Sequence, residues 1–429
     1  MSLFAVGDVF VDRADVGTAY PNGDPFLAQG DIVFGNCEGV YGESLVPAVT
    51  TGAPVIAPAV NVEALQRAGF DVMSCANNHV GDGGPAGVVA TADALEAHGI
   101  SAVGAGADIQ AARKPVVVER GGVRVAFLAY ASVFPYGYEA THHRAGLAPI
   151  RSRTAYFPPD EYLWEPGAQP TIHTEEAAED IEALRADIAA AKDAADVVIV
   201  SVHWGEMMRP FVLMDHERRI ARTIIHAGAD AILGHHHHML RGIEFYKGKP
   251  IWYGLGHHLF DLPDLAERVA AVGGELPGID PKDDDAIDRL HDPYRLGTRA
   301  GYPHLPFHPD GRLTGVAVMT IGTDVVGGAS GAGVLLERLP GRTAPATRHR
   351  DGRPYWASQR NGALPRWLKG RKPKLSEKRE ALLVSMHWSG DYTSAELAEL
   401  SDVARATVYR AITRREAADQ TPSLPRVDD

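Results

Sequence analysis

Along most of the chain, short apolar runs that stop at polar residues alternate with stretches of helical period. That alternation is the signature of a layered α/β (α+β) fold. "SLFAVGDV" reads as a first strand ending at Asp8, and "DIVFGNCEG" as a second with Asn36 and Glu38 at its end. "NVEALQRAGF" is a helix that feeds the strand "DVMSC", which stops at "ANNHVGDGG". A helix from about Pro85 to His98 precedes the strand "SAVGAG", and "KPVVVERGGVRVAFLAYAS" is a hairpin around a Gly-Gly turn.

Val133 to Thr171 is rich in Pro, Tyr and His, lacks periodicity, and is expected to be an excursion or lid. The amphipathic "EEAAEDIEALRADIAAAKDA" then leads into the wholly apolar strand "DVVIVSV" and His203. "DHERRIARTIIHAGA" is a further helix, followed by the strand "DAILG" and four consecutive histidines, His235 to His238. "IEFYKGKPIWYGLG" is a hairpin ending in His257 and His258. A second irregular stretch, Leu262 to Pro309, precedes two closing strands, "RLTGVAVMTIG" and "GAGVLLERLP".

Asp8, Glu38, Asn78, His203 and the histidine run each follow an apolar strand. Loops at one end of a layered sheet converge, so these residues are expected to meet in one cleft. Carboxylate, amide and imidazole together suit a borderline divalent cation better than a soft thiolate site would. On an extended segment side chains alternate, which would place His236 and His238 on one face and His235 and His237 on the other.

The elements "GDVFVDR", "GNCEG", "ANNHVGD", "HWGEM" and "GADAILGHHHHMLRGIEFYKGKPIWYGLGHH" resemble those of the CapA family, named for capsular poly-γ-glutamate synthesis. The likeness runs in order from about Phe4 to Phe260 and continues to about Pro340. It implies a calcineurin-like metallophosphoesterase β-sandwich flanked by helices. Carried over position by position, it implies metal ligation by Asp8, Glu38, Asn78, His203, His236 and His238, with His79 as general acid. Arg13 falls on the Arg of "GDxxxxR" and is a candidate anion contact. Asn36 and His235 are further candidates on the substrate side, with Asn36 and Asp82 as orienting groups.

The departures are specific. Asp-x-His is expected at the first strand, but Val9 and Phe10 follow Asp8, so one ligand is missing and one or two cations remain open (Mn, Zn, Fe, Mg or Ca). His257 stands where "GNF" would place an Asn, as a ligand, a base or a structural group. Asp12 is a cleft carboxylate or a turn residue. Such a site suits hydrolysis of a phosphoester, or of an amide or γ-glutamyl bond, in a peptide-like, carboxylate-bearing substrate. The alternative is acid–base epimerisation at a peptide Cα, with Asp12, His235, His257 and His258 as spare proton-transfer groups.

Composition separates a second module. The 429-residue chain has a net charge of −13. Arg342 to Arg415 carries sixteen basic and seven acidic residues, a local charge of +9 that leaves −22 on the remainder. Residues 1–340 therefore form the expected catalytic domain, 341–375 a basic Pro-rich linker, 376–416 a small all-α helix-turn-helix-like module, and 417–429 a disordered tail. "ELAELSDVARATVYRAI" resembles recombinase helix-turn-helices, with Arg405, Thr407, Tyr409 and Arg410 on or near a recognition helix for DNA. A docking bundle with a solvated basic face is the other reading.

The remaining signals exclude more than they assign. Cys37 and Cys75 alone make no disulfide framework. There is no basic leader and no apolar run of membrane-spanning length, so a cytoplasmic protein without a membrane partner is expected. "PKDDDAIDRLHD" lacks the Gly and Glu of an EF-hand loop, and "GGASGAG" reads as a turn. Tyr136 and Tyr138 are candidates for a substrate groove, whereas Trp204 is expected in the core.

Overall fold

The computed structural model describes residues 1–49, 52–157, 170–207, 212–273, 311, 313–326 and 329–336. All belong to the first of two units, Met1–Trp356 and Ala357–Asp429. The proposed linker, helix-turn-helix-like module and tail, with Arg405, Thr407, Tyr409 and Arg410, lie outside the described residues, as does most of the second irregular stretch.

Two sheets make the domain. Edge to edge, the first runs Ala329–Leu336, Ala317–Val326, Ser2–Phe10, Ile32–Cys37, Val72–Ser74 and Ser101–Val103, with His257–Phe260 also paired to Ser2–Phe10. The second runs Ile243–Tyr246, Lys249–Trp252, Ala231–His235, Val197–His203, Val123–Ala131 and Val116–Arg120. In the first sheet Ser2–Phe10, Ile32–Cys37, Val72–Ser74, Ser101–Val103 and His257–Phe260 run parallel, and the two closing strands pair antiparallel. In the second the four strands from Lys249–Trp252 to Val123–Ala131 run parallel between antiparallel edges. Parallel strands share one direction, so their C-terminal ends collect on one rim.

Strict alternation along the inner strands explains why they read as unbroken apolar runs. Val197 and Ile199 face the first sheet, where Phe34 stacks on Phe127 at 5.5 Å. Val198, Val200 and Val202 face the opposite way, onto Leu184 and Ile188 of the helix Ala178–Ala194 and Ile220 and Ile224 of Asp215–Ala227. Helices Val62–Ala68 and Gly84–Ala97 cover the first sheet with Leu65, Val88 and Leu95. This is the helix-flanked sandwich that the resemblance implies.

Several local expectations are corrected. The first strand continues through Asp8 to Phe10, because His257–Phe260 takes up its free edge beyond the stretch paired with Ala317–Val326. Within the first irregular stretch, Ser152–Phe157 pairs antiparallel with Thr171–Glu176, so part of it is a hairpin. Ala329–Gly333 of "GGASGAG" lies in a strand paired with Ala317–Val326, whose backbone hydrogen bonds override the turn-like composition.

Candidate metal centre

Asp8 owes its direction to a register shift. Ala5 pairs with Phe34 but Asp8 pairs with Asn36, so an extra residue bulges from the first strand and turns the residues after it. Gly7 occupies the bulge because any Cβ there would collide with the Gly256 carbonyl. Asp8 then lies beside Asn36 in one neighbouring strand and His257 in the other.

Around it the rim is densely polar and buried. Asn36 Nδ2 donates to Asp8 Oδ1 at 2.9 Å and to Glu38 Oε2 at 3.1 Å, while its own Oδ1 accepts from Asn77 Nδ2 at 3.3 Å. His203 Nε2 meets Asn78 Oδ1 at 2.6 Å and stands 3.8 Å from Glu38 Oε1. His236 Nδ1 lies 3.1 Å from His203 Nε2. His238 Nδ1 is 3.2 Å from Asp8 Oδ2, and its Nε2 is 3.5 Å from Glu38 Oε1. Three overlapping trios have donor atoms within 4.8 Å of one another: Asp8, Glu38 and His203; Glu38, His236 and His238; Asp8, His238 and His257.

The structure therefore brings Asp8, Glu38, Asn78, His203, His236 and His238 together. His236 and His238 do share the cluster, as alternation predicts, but His235 does not pair off with His237. The chain leaves the extended conformation after His235, with φ of 92° at His236 and 54° at His238, which non-glycine residues seldom adopt. As a result His235 also points inward, its Nδ1 3.6 Å from Asp8 Oδ1, and only His237 turns away, onto Glu217.

Electrostatics match a cation centre. Burial opposes the charge on Asp8, yet the adjacent His235 and His238 imidazoles hold its carboxyl well below the ordinary range. Burial, followed by the negative charge of Asp8, pushes Glu38 well up. Burial and neighbouring imidazoles hold His203 and His236 well below their usual value, and His257 falls to about 3. Two adjacent buried carboxylates need positive charge to offset their desolvation, and a cation among them would supply it. Asp8 Oδ2 and Glu38 Oε1 are buried without a hydrogen-bond partner. This donor set fits a divalent cation.

One catalytic candidate sits at the solvent side of the cluster. His79 Nδ1 contacts Asp82 Oδ2 at 2.8 Å, and its side chain is 18% exposed while Asp82 is 1% exposed. Asp82 is itself fixed by the Val55 amide at 2.8 Å and the Tyr138 hydroxyl at 2.9 Å. Tyr138 is therefore a buried support, and Tyr136 is exposed. Trp204 is buried against Tyr253, to whose carbonyl it donates, as expected of a core residue.

Other candidates are placed differently. Arg13 gives Nε and Nη2 to Asp261 at 2.6 and 2.9 Å, so its fork is occupied by the protein, and Asp12 pairs with Arg268. Both face a cavity of about 630 Å³ shared with Asp15, Asp261, Asp264 and Arg268, which none of the six donors lines. Asn36 holds the two carboxylates, and the His235 side chain is fully buried, so neither offers substrate a contact. His258 lies 3.3 Å from Asp24 and stacks on Tyr20, outside the cluster. Sequence reading missed Asn77 and Glu217. The doubled Asn of "ANNH" was a signal for the first, and nothing but its place in a helix's first turn marked the second.

Comparison with known proteins finds relatives for both parts of the chain. Residues 2–262 match the family described as "Bacterial capsule synthesis protein PGA_cap", and the chain belongs to that family. Residues 370–414 match the "Helix-turn-helix domain of resolvase". The "Capsule biosynthesis protein CapA" of Bacillus anthracis is 28% identical over 61% of this chain and 60% of its own length. A "Probable polyglutamine synthesis accessory protein" of Mycobacterium tuberculosis is 33% identical over 50% of each chain. This chain thus spans between half and three fifths of those relatives. A hypothetical protein of known structure from Thermus thermophilus aligns with a TM-score of 0.38 at 14% identity, over 79% of this chain and all of that one. Among the described residues, no helix is long and apolar enough to cross a membrane.

Proposed function

We propose that this chain is a metal-dependent hydrolase that cleaves an amide or γ-glutamyl bond in a peptide-like, carboxylate-bearing substrate. The observation that carries the reading is the convergence of Asp8, Glu38, Asn78, His203, His236 and His238 around buried carboxylate oxygens that lack partners. A divalent cation bound there supplies a water of near-neutral pKa and polarises the scissile carbonyl.

The protein's own groups do the rest. Asn78 and His79 are the partly exposed members of a cluster otherwise buried, so substrate approaches from their side. With Nδ1 of His79 held by Asp82, its Nε2 carries the proton delivered to the leaving amine. Asn36 and Asn77 keep the carboxylates in place during turnover. Membership of the capsule-synthesis family supports the glutamyl character of the substrate.

The test is to incubate the Mn²⁺-loaded full chain with a γ-glutamyl oligopeptide in heavy water and follow it by mass spectrometry. Shortened chains are expected. Unchanged length with deuterium at Cα would replace hydrolysis by epimerisation. Unchanged peptide alongside cleavage of bis-p-nitrophenyl phosphate would move the reading to phosphoesters.

A second reading, for the C-terminal module, has its own support in the match at 370–414 and the local charge of +9. We infer that it binds duplex DNA, with Arg405, Thr407, Tyr409 and Arg410 toward the groove and the basic linker on phosphate.

A further inference from the structure

We propose that His257 completes a second cation site, made with Asp8 and His238, beside the one formed by Glu38, Asn78, His203 and His236. The inference rests on the metal reading above and deepens it, because it assigns two cations rather than one. It also makes His257 a ligand instead of an acid–base group.

The first strand cannot supply a third donor next to Asp8. Phe10 is fully buried, packed on Tyr41 and Phe260 with ring centroids 5.6 and 5.9 Å away. The neighbouring strand supplies one instead. His257–Phe260 runs parallel to Ser2–Phe10 with His257 opposite Asp8, and the register shift directly after that pair belongs to both strands' geometry.

The donor atoms are close together. Asp8 Oδ2 lies 3.2 Å from His238 Nδ1, which lies 2.6 Å from His257 Nε2. Neighbouring ligands at right angles, each about 2.1 Å from one ion, stand about 3 Å apart. The first separation already suits that geometry, and the second needs a few tenths of an ångström, within reach of a small ring rotation. All three residues are at most 5% exposed.

The far side of His257 points the same way. Its Nδ1 faces the Gly311 carbonyl at 3.3 Å, and donation there leaves Nε2 as the lone-pair nitrogen aimed at the trio. Metal-bound histidines commonly carry such a carbonyl partner on the other ring nitrogen. Phe260 walls the site, its ring 4.8 Å from His257 and 5.7 Å from His238. A bare hydrogen-bonded imidazole pair is the competing account. It would leave Asp8 Oδ2 as a buried charged atom without a hydrogen-bond partner.

The experiment measures metal content and coupling rather than turnover. The full chain is stripped with chelator, dialysed against Mn²⁺ and examined by elemental analysis and by electron paramagnetic resonance. Two equivalents and an exchange-coupled signal are expected, since ions sharing such a site lie about 4 Å apart. His257→Ala and His257→Asn should each hold one equivalent, with the coupled signal lost and the far-ultraviolet circular dichroism unchanged. If the alanine variant fails to fold, the asparagine variant and the wild-type spectrum still decide. One equivalent in the wild type, or two coupled ions in a folded His257 variant, would overturn the second site alone. No bound metal in the wild type would overturn the hydrolase reading as well.

Discussion

His237 Nε2 lies 2.9 Å from Glu217 Oε1, and both side chains are fully buried. The contact ties the helix Asp215–Ala227 to the one ring of the histidine run that turns away from the cluster. It leaves no room for another side chain: Gly205, at a φ of 84°, would drive a Cβ into His237. Glu217 Oε2 also accepts the Met214 amide at 2.6 Å. One carboxylate thereby holds the loop whose flanking residues, His236 and His238, carry left-handed backbone.

Replacing Glu217 by Ala should loosen that loop. An unpaired buried imidazole and amide cost about 1–3 kcal/mol, and metal affinity should fall on the order of tenfold as the two rings lose their fixed direction. Isothermal titration of the stripped variant with Mn²⁺ measures this. Unchanged affinity would show that the loop is held by other contacts.

Acidity provides a separate handle on the same residue. Burial pushes the Glu217 carboxyl up to about 7, from an ordinary value of 4.5. A raised acid pKa means that folding favours the protonated form, so this group's contribution declines as pH rises from about 4.5 to about 7. Glu217→Gln cannot ionise, so its stability relative to the wild type should increase across that window. Parallel denaturation midpoints for the two proteins between about pH 4.5 and 8 would contradict the assignment.

Asp82→Asn should separate proton transfer from metal binding. It weakens the partner of His79 Nδ1 without removing any of the six donors. Turnover of the γ-glutamyl peptide should drop about 10²-fold or more while Mn²⁺ affinity stays within a few-fold of the wild type. Equal losses in both would make Asp82 a structural prop only.

DNA binding by the full chain should weaken steeply with salt. If the basic linker and helix contact several phosphates, raising salt from about 50 to 200 mM should lower affinity by about 10³-fold. Arg410→Ala should reduce binding further at fixed salt. Fluorescence anisotropy with a labelled duplex reads both, and the absence of salt-dependent binding would leave the docking-bundle interpretation.

Much of the fold was legible because burial on both faces makes the inner strands unbroken apolar runs, as in "DVVIVSV" and "DAILG". Asp8, Glu38 and His203 could be picked out because each interrupts or ends such a run near the common rim. The hidden part depends on pairing and backbone torsion. The inward turn of His235 goes with positive φ at His236, and alternation along an extended chain gives no hint of it. Arg13 looked available until Asp261, distant in sequence, took its guanidinium. The place of His257 beside Asp8 required the parallel register of two strands with no sequence proximity. Glu217 is one acidic residue among many in helical first turns, and its contact with His237 arises only when that helix packs against the histidine run.

The most direct test of the cation centre is a crystal grown with Mn²⁺ and measured at the metal's absorption edge. An anomalous peak is expected about 2.0–2.3 Å from Glu38, Asn78, His203 and His236 donors together. Ordered density for those side chains with no anomalous peak among them would contradict a metal-dependent enzyme.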